Sequence, residues 1–135
     1  NAYVTAPATD QRQVNEMVRG LASDLPAGVD LGKAKAWIRF DGSGTVGIDS
    51  SYNVKSLVDS SAGQWDVNLA IPFKRVNGMI ILGTASNYEA GGSNYYIDIG
   101  AVTTSKIRVR ALKHDGTLED CDPIWCVVFG ELENE

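Results

Sequence analysis

From Lys33 onward the sequence alternates between apolar and polar residues, the pattern of strands that bury one face. Trp65, Val67 and Leu69 begin one such stretch, which continues to Phe73. The other stretches with this alternation are 36–41, 46–54, 95–99 and 106–111. A helix would instead repeat its apolar residues every three or four positions. Residues 33–135 are therefore predicted to form β-strands.

Turn signals separate these predicted strands at short intervals. They are Asp41–Gly44, Asp59–Gly63, Asn77-Gly78, Gly91-Gly92 and Asp115-Gly116. The 14 glycines against only 4 prolines also favour short strands joined by tight turns. Strands do not alternate with helices, which excludes a parallel α/β sheet. We predict an all-β fold, namely an antiparallel, jelly-roll-like β-sandwich of about six to nine short strands.

Two predicted strands are apolar on both faces and so depart from the alternation. They are Met79–Leu82 and Ile124–Phe129. A strand on the surface of a monomeric sandwich should present one polar face to water. We expect the second face of these strands to meet another element or another subunit. The alternative is that an N-terminal helix or a long loop covers it.

The segment at 36–45 combines a strand with a glycine-containing turn. Its sequence is AWIRFDGSGT, and the strand WCVVFG follows near the end of the chain, at 125–130. Together these motifs resemble the C-terminal domain of bacteriophage tail fibre and tail tip proteins, in which similar strands open and close the domain. The resemblance covers about residues 33–130. It implies a virion protein that contacts a host cell and is not an enzyme.

Residues 10–25 have a helical period, with Val14, Met17 and Leu21 on one face. A helix of about 15 residues is marginal by itself in water, so this apolar stripe must be buried. It can pack on its own domain, or it can form a parallel bundle with copies of itself. Because fibre proteins are trimers as a rule, the resemblance favours a trimeric neck.

These periods divide the chain into two parts. Residues 1–32 are predicted to be an N-terminal extension that contains the helix, and residues 33–135 the β-sandwich domain. A chain of 135 residues is long enough for one core and too short for two.

Charge and cysteine content narrow the possible partners. The net charge of −5 argues against general nucleic-acid binding, because contact with phosphates needs a basic surface. No apolar run approaches the roughly 20 residues needed to cross a bilayer, so we expect no membrane insertion. Cys121 and Cys126 cannot form a zinc site alone. We expect both thiols to be reduced and Cys126 to be buried; a disulfide between them is the alternative.

Residues with catalytic potential are few. His114 is the only histidine, and no Gly-x-Ser-x-Gly motif or phosphate-binding loop is found. The carboxylates at 115–122 could form a glycosidase pair or hold Ca²⁺, but a solvated acidic loop is the better interpretation. We predict no enzyme activity, no cofactor and no metal site.

The segment at 86–96 is the best candidate for a receptor-binding loop, because it is rich in Tyr, Asn and Ser. The residues predicted to bind the receptor are Asn87, Tyr88, Asn94 and Tyr96. Tyr95 alternatively belongs to the core face of the strand that follows. A second candidate is the loop at 113–122.

Trp37 lies on the strand face opposite to Ile38, where a tryptophan could serve as a sugar platform or be buried between subunits. Because the resembling family carries this Trp in its opening strand, we favour the structural role. The predicted oligomer interface consists of Val14, Met17, Leu21, Trp37 and Trp125.

The resemblance also indicates a function. It implies the distal domain of a tail fibre or tail tip protein, which binds a bacterial surface receptor, a glycan or a protein, during host adsorption. It further implies a homotrimer joined to an upstream fibre shaft, assembled in the host cytoplasm and located in the virion tail. The alternative is a non-catalytic structural module of the virion, such as a trimerisation cap, a decoration domain or a head-fibre domain.

Overall fold

The computed structural model describes residues 29–87 and 95–135, in which Leu31–Asn134 form a compact unit. The predicted helix at 10–25 lies outside the described residues. Three residues of the predicted oligomer interface lie outside them as well: Val14, Met17 and Leu21.

The described residues form eight β-strands and one short 3₁₀ helix. In chain order the strands are β1 (Ala34–Asp41), β2 (Gly47–Tyr52), β3 (Val54–Ser61), β4 (Gln64–Leu69), β5 (Ile80–Ala85), β6 (Tyr95–Val102), β7 (Lys106–Lys113) and β8 (Ile124–Phe129). The 3₁₀ helix is Val76–Gly78, between β4 and β5.

The strands pair into two four-stranded sheets. Sheet A has the order β2-β1-β8-β5, and sheet B has the order β3-β4-β7-β6. All of these pairings are antiparallel. The predicted all-β sandwich is confirmed at this level.

The core lies between the inner faces of the two sheets. Trp65, Val67 and Leu69 of β4 are buried there, as their alternation predicted. Trp65 and Phe40 meet edge to face, with ring centroids 5.3 Å apart and an interplanar angle of 69°. An aromatic pair of this kind contributes about 0.5–1.5 kcal/mol beyond the burial of its area. It fixes β1 of sheet A against β4 of sheet B.

The turn between β1 and β2 forms at the glycine-containing segment, as predicted. Asp41 Oδ1 accepts hydrogen bonds from the Ser43 backbone N–H at 2.8 Å and from its hydroxyl at 2.7 Å. Gly44 follows with a φ of +56°, which glycine adopts without strain. Gly42 has no room for a side chain, because a Cβ atom there would lie 2.4 Å from the Trp65 ring.

The predicted continuous strand at 46–54 is wrong. The chain passes from sheet A to sheet B at Asn53, which separates β2 from β3 and has a φ of +56°. Asparagine tolerates this left-handed conformation better than most residues, and the conformation ends the strand. The apolar residues on either side, Tyr52 and Val54, therefore belong to different sheets.

The strand predicted to run from Trp65 to Phe73 is shorter in the structure. β4 ends at Leu69, although the alternation continues for four more residues. Ile71 has its backbone N–H and C=O bound by the Asn53 side chain, and Pro72 has no N–H to donate to a strand ladder.

Candidate functional site

Four connections between strands lie at one end of the sandwich, which we call the loop end. They are the β1–β2, β3–β4, β5–β6 and β7–β8 connections, and the last of these, residues 114–123, contacts the other three. The backbone N–H groups of Gly42, Gly63 and Ser86 donate to Cys121 O (3.0 Å), Asp120 Oδ1 (2.7 Å) and Pro123 O (3.0 Å). The 114–123 loop thus holds this end together.

A chain of polar contacts joins the 114–123 loop to the two ends of the 88–94 stretch. The Tyr95 hydroxyl donates to Glu119 Oε2, and Asn87 Nδ2 donates to the Tyr95 hydroxyl at 3.3 Å. Lys113 Nζ lies 3.6 Å from Glu119 Oε1. The hydrogen bond to Glu119 raises the pKa of Tyr95, because it favours the neutral phenol. The described ends of the 86–96 segment, Asn87 and Tyr95, therefore lie beside the second candidate loop at 113–122.

Two of the four predicted receptor-binding residues lie in the described part of the chain. Asn87 is half-buried in the polar chain, and Tyr96 is 47% exposed on the outer face of sheet B. Tyr88 and Asn94 lie outside the described residues. Tyr95 packs against the core, which is the alternative interpretation given to it above.

Asp115 takes part in the local turn structure of the 114–123 loop, whereas Glu119 and Asp120 bind groups outside it. Asp115 Oδ1 accepts hydrogen bonds from the Thr117 backbone N–H at 3.0 Å and from its hydroxyl at 2.7 Å. These bonds lower the pKa of Asp115, with the side-chain bond as the larger cause. Within the part of the chain that the structure describes, no three His, Cys, Asp or Glu side chains are placed to hold a metal ion.

Both cysteines are free and buried. Burial raises the pKa of the Cys126 thiol to about 12. The Cys121 pKa is also raised to about 12, first by burial and then by nearby carboxylates such as Asp120. A thiol must ionise to act as a nucleophile, so neither cysteine is activated for chemistry.

The outer face of sheet A is apolar, and we call it the apolar face. Trp37 of β1 lies opposite Tyr52 on one side and Val127 on the other, and Leu82 of β5 pairs with Val127 in turn. Ile80 and Leu82 are 61% and 58% exposed, unusually open for large aliphatic side chains. The face consists of Tyr52, Trp37, Trp125, Val127, Leu82 and Ile80.

Ring contacts order the aromatic side chains of the apolar face. The Trp37 and Tyr52 rings are stacked, with centroids 6.5 Å apart and an interplanar angle of 21°. The Arg39 guanidinium lies 5.6 Å from the centroid of the Trp125 ring, within the range of a cation–π contact. Arg39 Nε is also 3.7 Å from Asp49 Oδ2. Arg39 thus has an aromatic and an acidic neighbour.

A groove of about 640 Å³ crosses the apolar face. Its walls include Trp37, Trp125, Leu82 and Val127, and its polar lining comes from Arg39, Ser50 and Thr84. The volume falls within the range of roughly 300–1,000 Å³ that is typical of ligand pockets. The face can therefore receive side chains of a partner or a small ligand.

The outer face of sheet B has the opposite character. Arg108 makes a two-pronged contact with Asp66, with Nε at 2.9 Å and Nη2 at 3.2 Å from its oxygens. Arg110 lies 3.1 Å from Asp98, and Lys106 lies 3.9 Å from Asp66. The hydrogen bond from Arg108 is the largest cause that lowers the pKa of Asp66. Charged pairs predominate on this face, whereas apolar side chains predominate on the apolar face.

Comparison with family models, curated proteins and solved structures finds no match to this chain. None of the helices in the described residues has the length and hydrophobicity that crossing a membrane requires.

Trp37 and Trp125, which were predicted to share one interface, both lie on the apolar face. Tyr52, Ile80, Leu82 and Val127 were not among the residues predicted for that interface. The signal for the last three was present, because both of their strands are apolar on two faces. Tyr52 gave no such signal, since its position beside Trp37 depends on the pairing of β1 with β2.

Proposed function

We propose that this chain is the distal, C-terminal domain of a bacteriophage tail fibre or tail tip protein and binds a bacterial surface receptor during host adsorption. The resemblance of AWIRFDGSGT and WCVVFG to that family supports the assignment. We take the receptor to be a glycan, because Tyr and Asn side chains stack on sugar rings and exchange hydrogen bonds with hydroxyl groups.

The proposed location of the receptor site rests on one observation, which is the hydrogen bond from Tyr95 to Glu119. It joins the two loops that the sequence singles out for recognition. Binding sites are commonly built from loops held on a rigid scaffold. Tyr96, the next residue along β6, adds an exposed aromatic ring on the outer face of sheet B, and Asn87 adds an amide at the other end of the 88–94 stretch.

The domain acts without catalysis in this account. It functions as a homotrimer attached to an upstream fibre shaft. The fibre is assembled in the host cytoplasm and is part of the virion tail. Three weak sites on one fibre raise the avidity without any new contact. The pairing of the first strand, β1, with the last, β8, is the feature that supports a jelly-roll-like description of the fold.

The rival function is a structural module of the virion, such as a trimerisation cap, a decoration domain or a head-fibre domain. The apolar face favours this alternative, because a cap needs a surface for self-association and no receptor loop. Because the proposed homotrimer could use the same apolar face, receptor binding at the loop end is what distinguishes the two functions.

Binding of the full chain to immobilised lipopolysaccharides, capsular polysaccharides and teichoic acids tests the proposal. We expect at least one glycan to retain the chain, and Tyr96→Ala to weaken that binding at least fivefold. Val58→Ala is the matched control, because Val58 is also 47% exposed on the outer face of sheet B but lies on β3, at the opposite edge. Equal binding by the wild-type and Tyr96→Ala chains would exclude Tyr96 from the site, and no binding at all would favour the structural module.

A further inference from the structure

The two outer faces of the sandwich differ in a way that solvation alone does not explain. The outer face of sheet B carries Arg108 and Arg110, each paired with an aspartate. In sheet A the outward residues of β1 and β8 include Trp37, Trp125 and Val127, and a charged pair, Arg39 with Asp49, lies beside them. A sheet face that meets only water is expected to be polar. The apolar face therefore has the composition of a contact surface.

We infer that the apolar face is the surface through which copies of this chain associate. The inference rests on the proposed function only for the number of copies, because the proposed tail fibre domain is a homotrimer. The choice of surface comes from the apolar face itself and can be tested separately from receptor binding.

The size of the apolar face is suited to a weak, reversible contact between copies. Four strands about 4.8 Å apart and about six residues long present roughly 400 Å² in flat projection. Contiguous apolar patches beyond a few hundred Å² are uncommon on monomers. Yet a stable interface buries about 800 Å² on each partner. Association through this face alone should therefore be weak.

Charge favours a second copy over a foreign partner. The chain carries a net charge of −5, so copies repel unless they meet through their least charged surfaces. Among the described residues that line the groove, the cation is Arg39, which already lies beside Asp49 and Trp125. An apolar, neutral surface is complementary to itself, whereas the paired charges on sheet B gain nothing from facing their own copies.

Leu82→Glu in the full chain tests this inference, with Val58→Glu as the control. Both side chains are exposed, at 58% and 47%, so either glutamate can remain in water in the folded monomer. Far-ultraviolet circular dichroism and thermal unfolding verify the fold of each variant. Tyr52→Glu is a second probe, because Tyr52 lies at the other edge of the apolar face.

Sedimentation velocity between 1 and 100 μM measures the outcome. We expect the wild-type and Val58→Glu chains to associate, and Leu82→Glu and Tyr52→Glu to raise the dissociation constant at least tenfold. The inference is overturned if Leu82→Glu associates as the wild type does, or if Val58→Glu dissociates the assembly equally.

A monomeric wild-type chain would also overturn the inference, and iodide quenching of tryptophan fluorescence would then identify what occupies the face. If Trp37 and Trp125 are shielded from iodide in the monomer, another part of the same chain covers the apolar face. If they become shielded only after a glycan is added, the face binds sugar. Glycan binding by a Leu82→Glu monomer, measured at high concentration, is independent of these outcomes. The proposed receptor binding and the proposed interface can therefore be refuted independently of each other.

Discussion

Asn53 binds both backbone groups of Ile71, a residue 18 positions later in the chain. Its Oδ1 accepts from the Ile71 N–H at 2.7 Å, and its Nδ2 donates to the Ile71 C=O at 3.0 Å. The same amide nitrogen lies 3.2 Å from the Lys35 C=O of β1. One side chain thus joins the sheet crossing to β1 and to the segment after β4.

Asn53→Ala should lower the free energy of unfolding by about 2 kcal/mol or more, because it leaves several part-buried backbone groups without partners. Asn53→Gly keeps the positive φ but loses the same hydrogen bonds, so it separates the two contributions. Urea unfolding followed by fluorescence gives the values. A glycine variant as stable as the wild type would mean that the backbone conformation, and not the hydrogen bonds, accounts for Asn53.

Gly42→Ala should destabilise the fold by about 1–3 kcal/mol through overpacking. A Cβ atom at Gly42 would lie 2.4 Å from the Trp65 ring and 2.8 Å from Cys121 O. Gly47→Ala is the control, because nothing lies within 4 Å of a Cβ atom there. Thermal unfolding measures the melting temperatures of the two variants, and we expect that of Gly42→Ala to be the lower. Equal melting temperatures for the two variants would contradict the close packing of the β1–β2 turn on Trp65.

The free thiols should be unreactive in the folded protein. Burial raises the pKa of both Cys121 and Cys126 to about 12, so hardly any thiolate exists at pH 8. Ellman's reagent should detect fewer than about 0.2 thiols per chain under native conditions and both thiols in denaturant. Rapid native labelling of either one would contradict the burial described here.

Acid should weaken the fold in part through Asp66. Its pKa is lowered in the folded state, first by the hydrogen bond from Arg108. The stability that it contributes is therefore present above its ordinary pKa of about 4 and is lost as the pH falls through the lowered value. We expect Asp66→Asn to be less stable than the wild type at pH 6 and to lose less stability between pH 5 and pH 2. Parallel stability profiles in urea would refute this role.

Alkali should loosen the loop end through Tyr95. Its pKa is raised by the hydrogen bond to Glu119, so the stability it contributes is complete below about pH 10, its ordinary pKa. That stability is lost as the pH rises through the folded value, because a phenolate would then face a carboxylate. Tyr95→Phe should therefore be less stable at pH 8 but less sensitive to alkali between pH 9.5 and pH 11.5. If urea midpoints fall equally in both proteins, the contact has no such effect.

Much of the fold followed from local patterns, and the exceptions have physical causes. The alternation around Trp65 and the glycine-containing turn after Asp41 predicted a strand and a hairpin that the structure contains. The crossing at Asn53 was missed because Tyr52 and Val54 keep the alternation while the backbone reverses between them. The two-residue period of apolar side chains does not indicate where a chain passes from one sheet to the other.

The candidate site was predictable only in part for a related reason. Trp37 could be placed on an outward face from its neighbours, whereas the proximity of Tyr95 to Glu119 depends on β6 lying beside β7. Contacts of that kind come from topology, which a single sequence determines only through many weak preferences. The same limit hid the position of Tyr52 beside Trp37.

Adsorption of the labelled full chain to a panel of bacterial strains, before and after periodate oxidation of their surface glycans, tests the central claim most directly. We predict that at least one strain retains the chain and that periodate abolishes the binding. Retention that is indifferent to periodate would contradict a glycan receptor, and failure to bind any strain would contradict a receptor-binding domain.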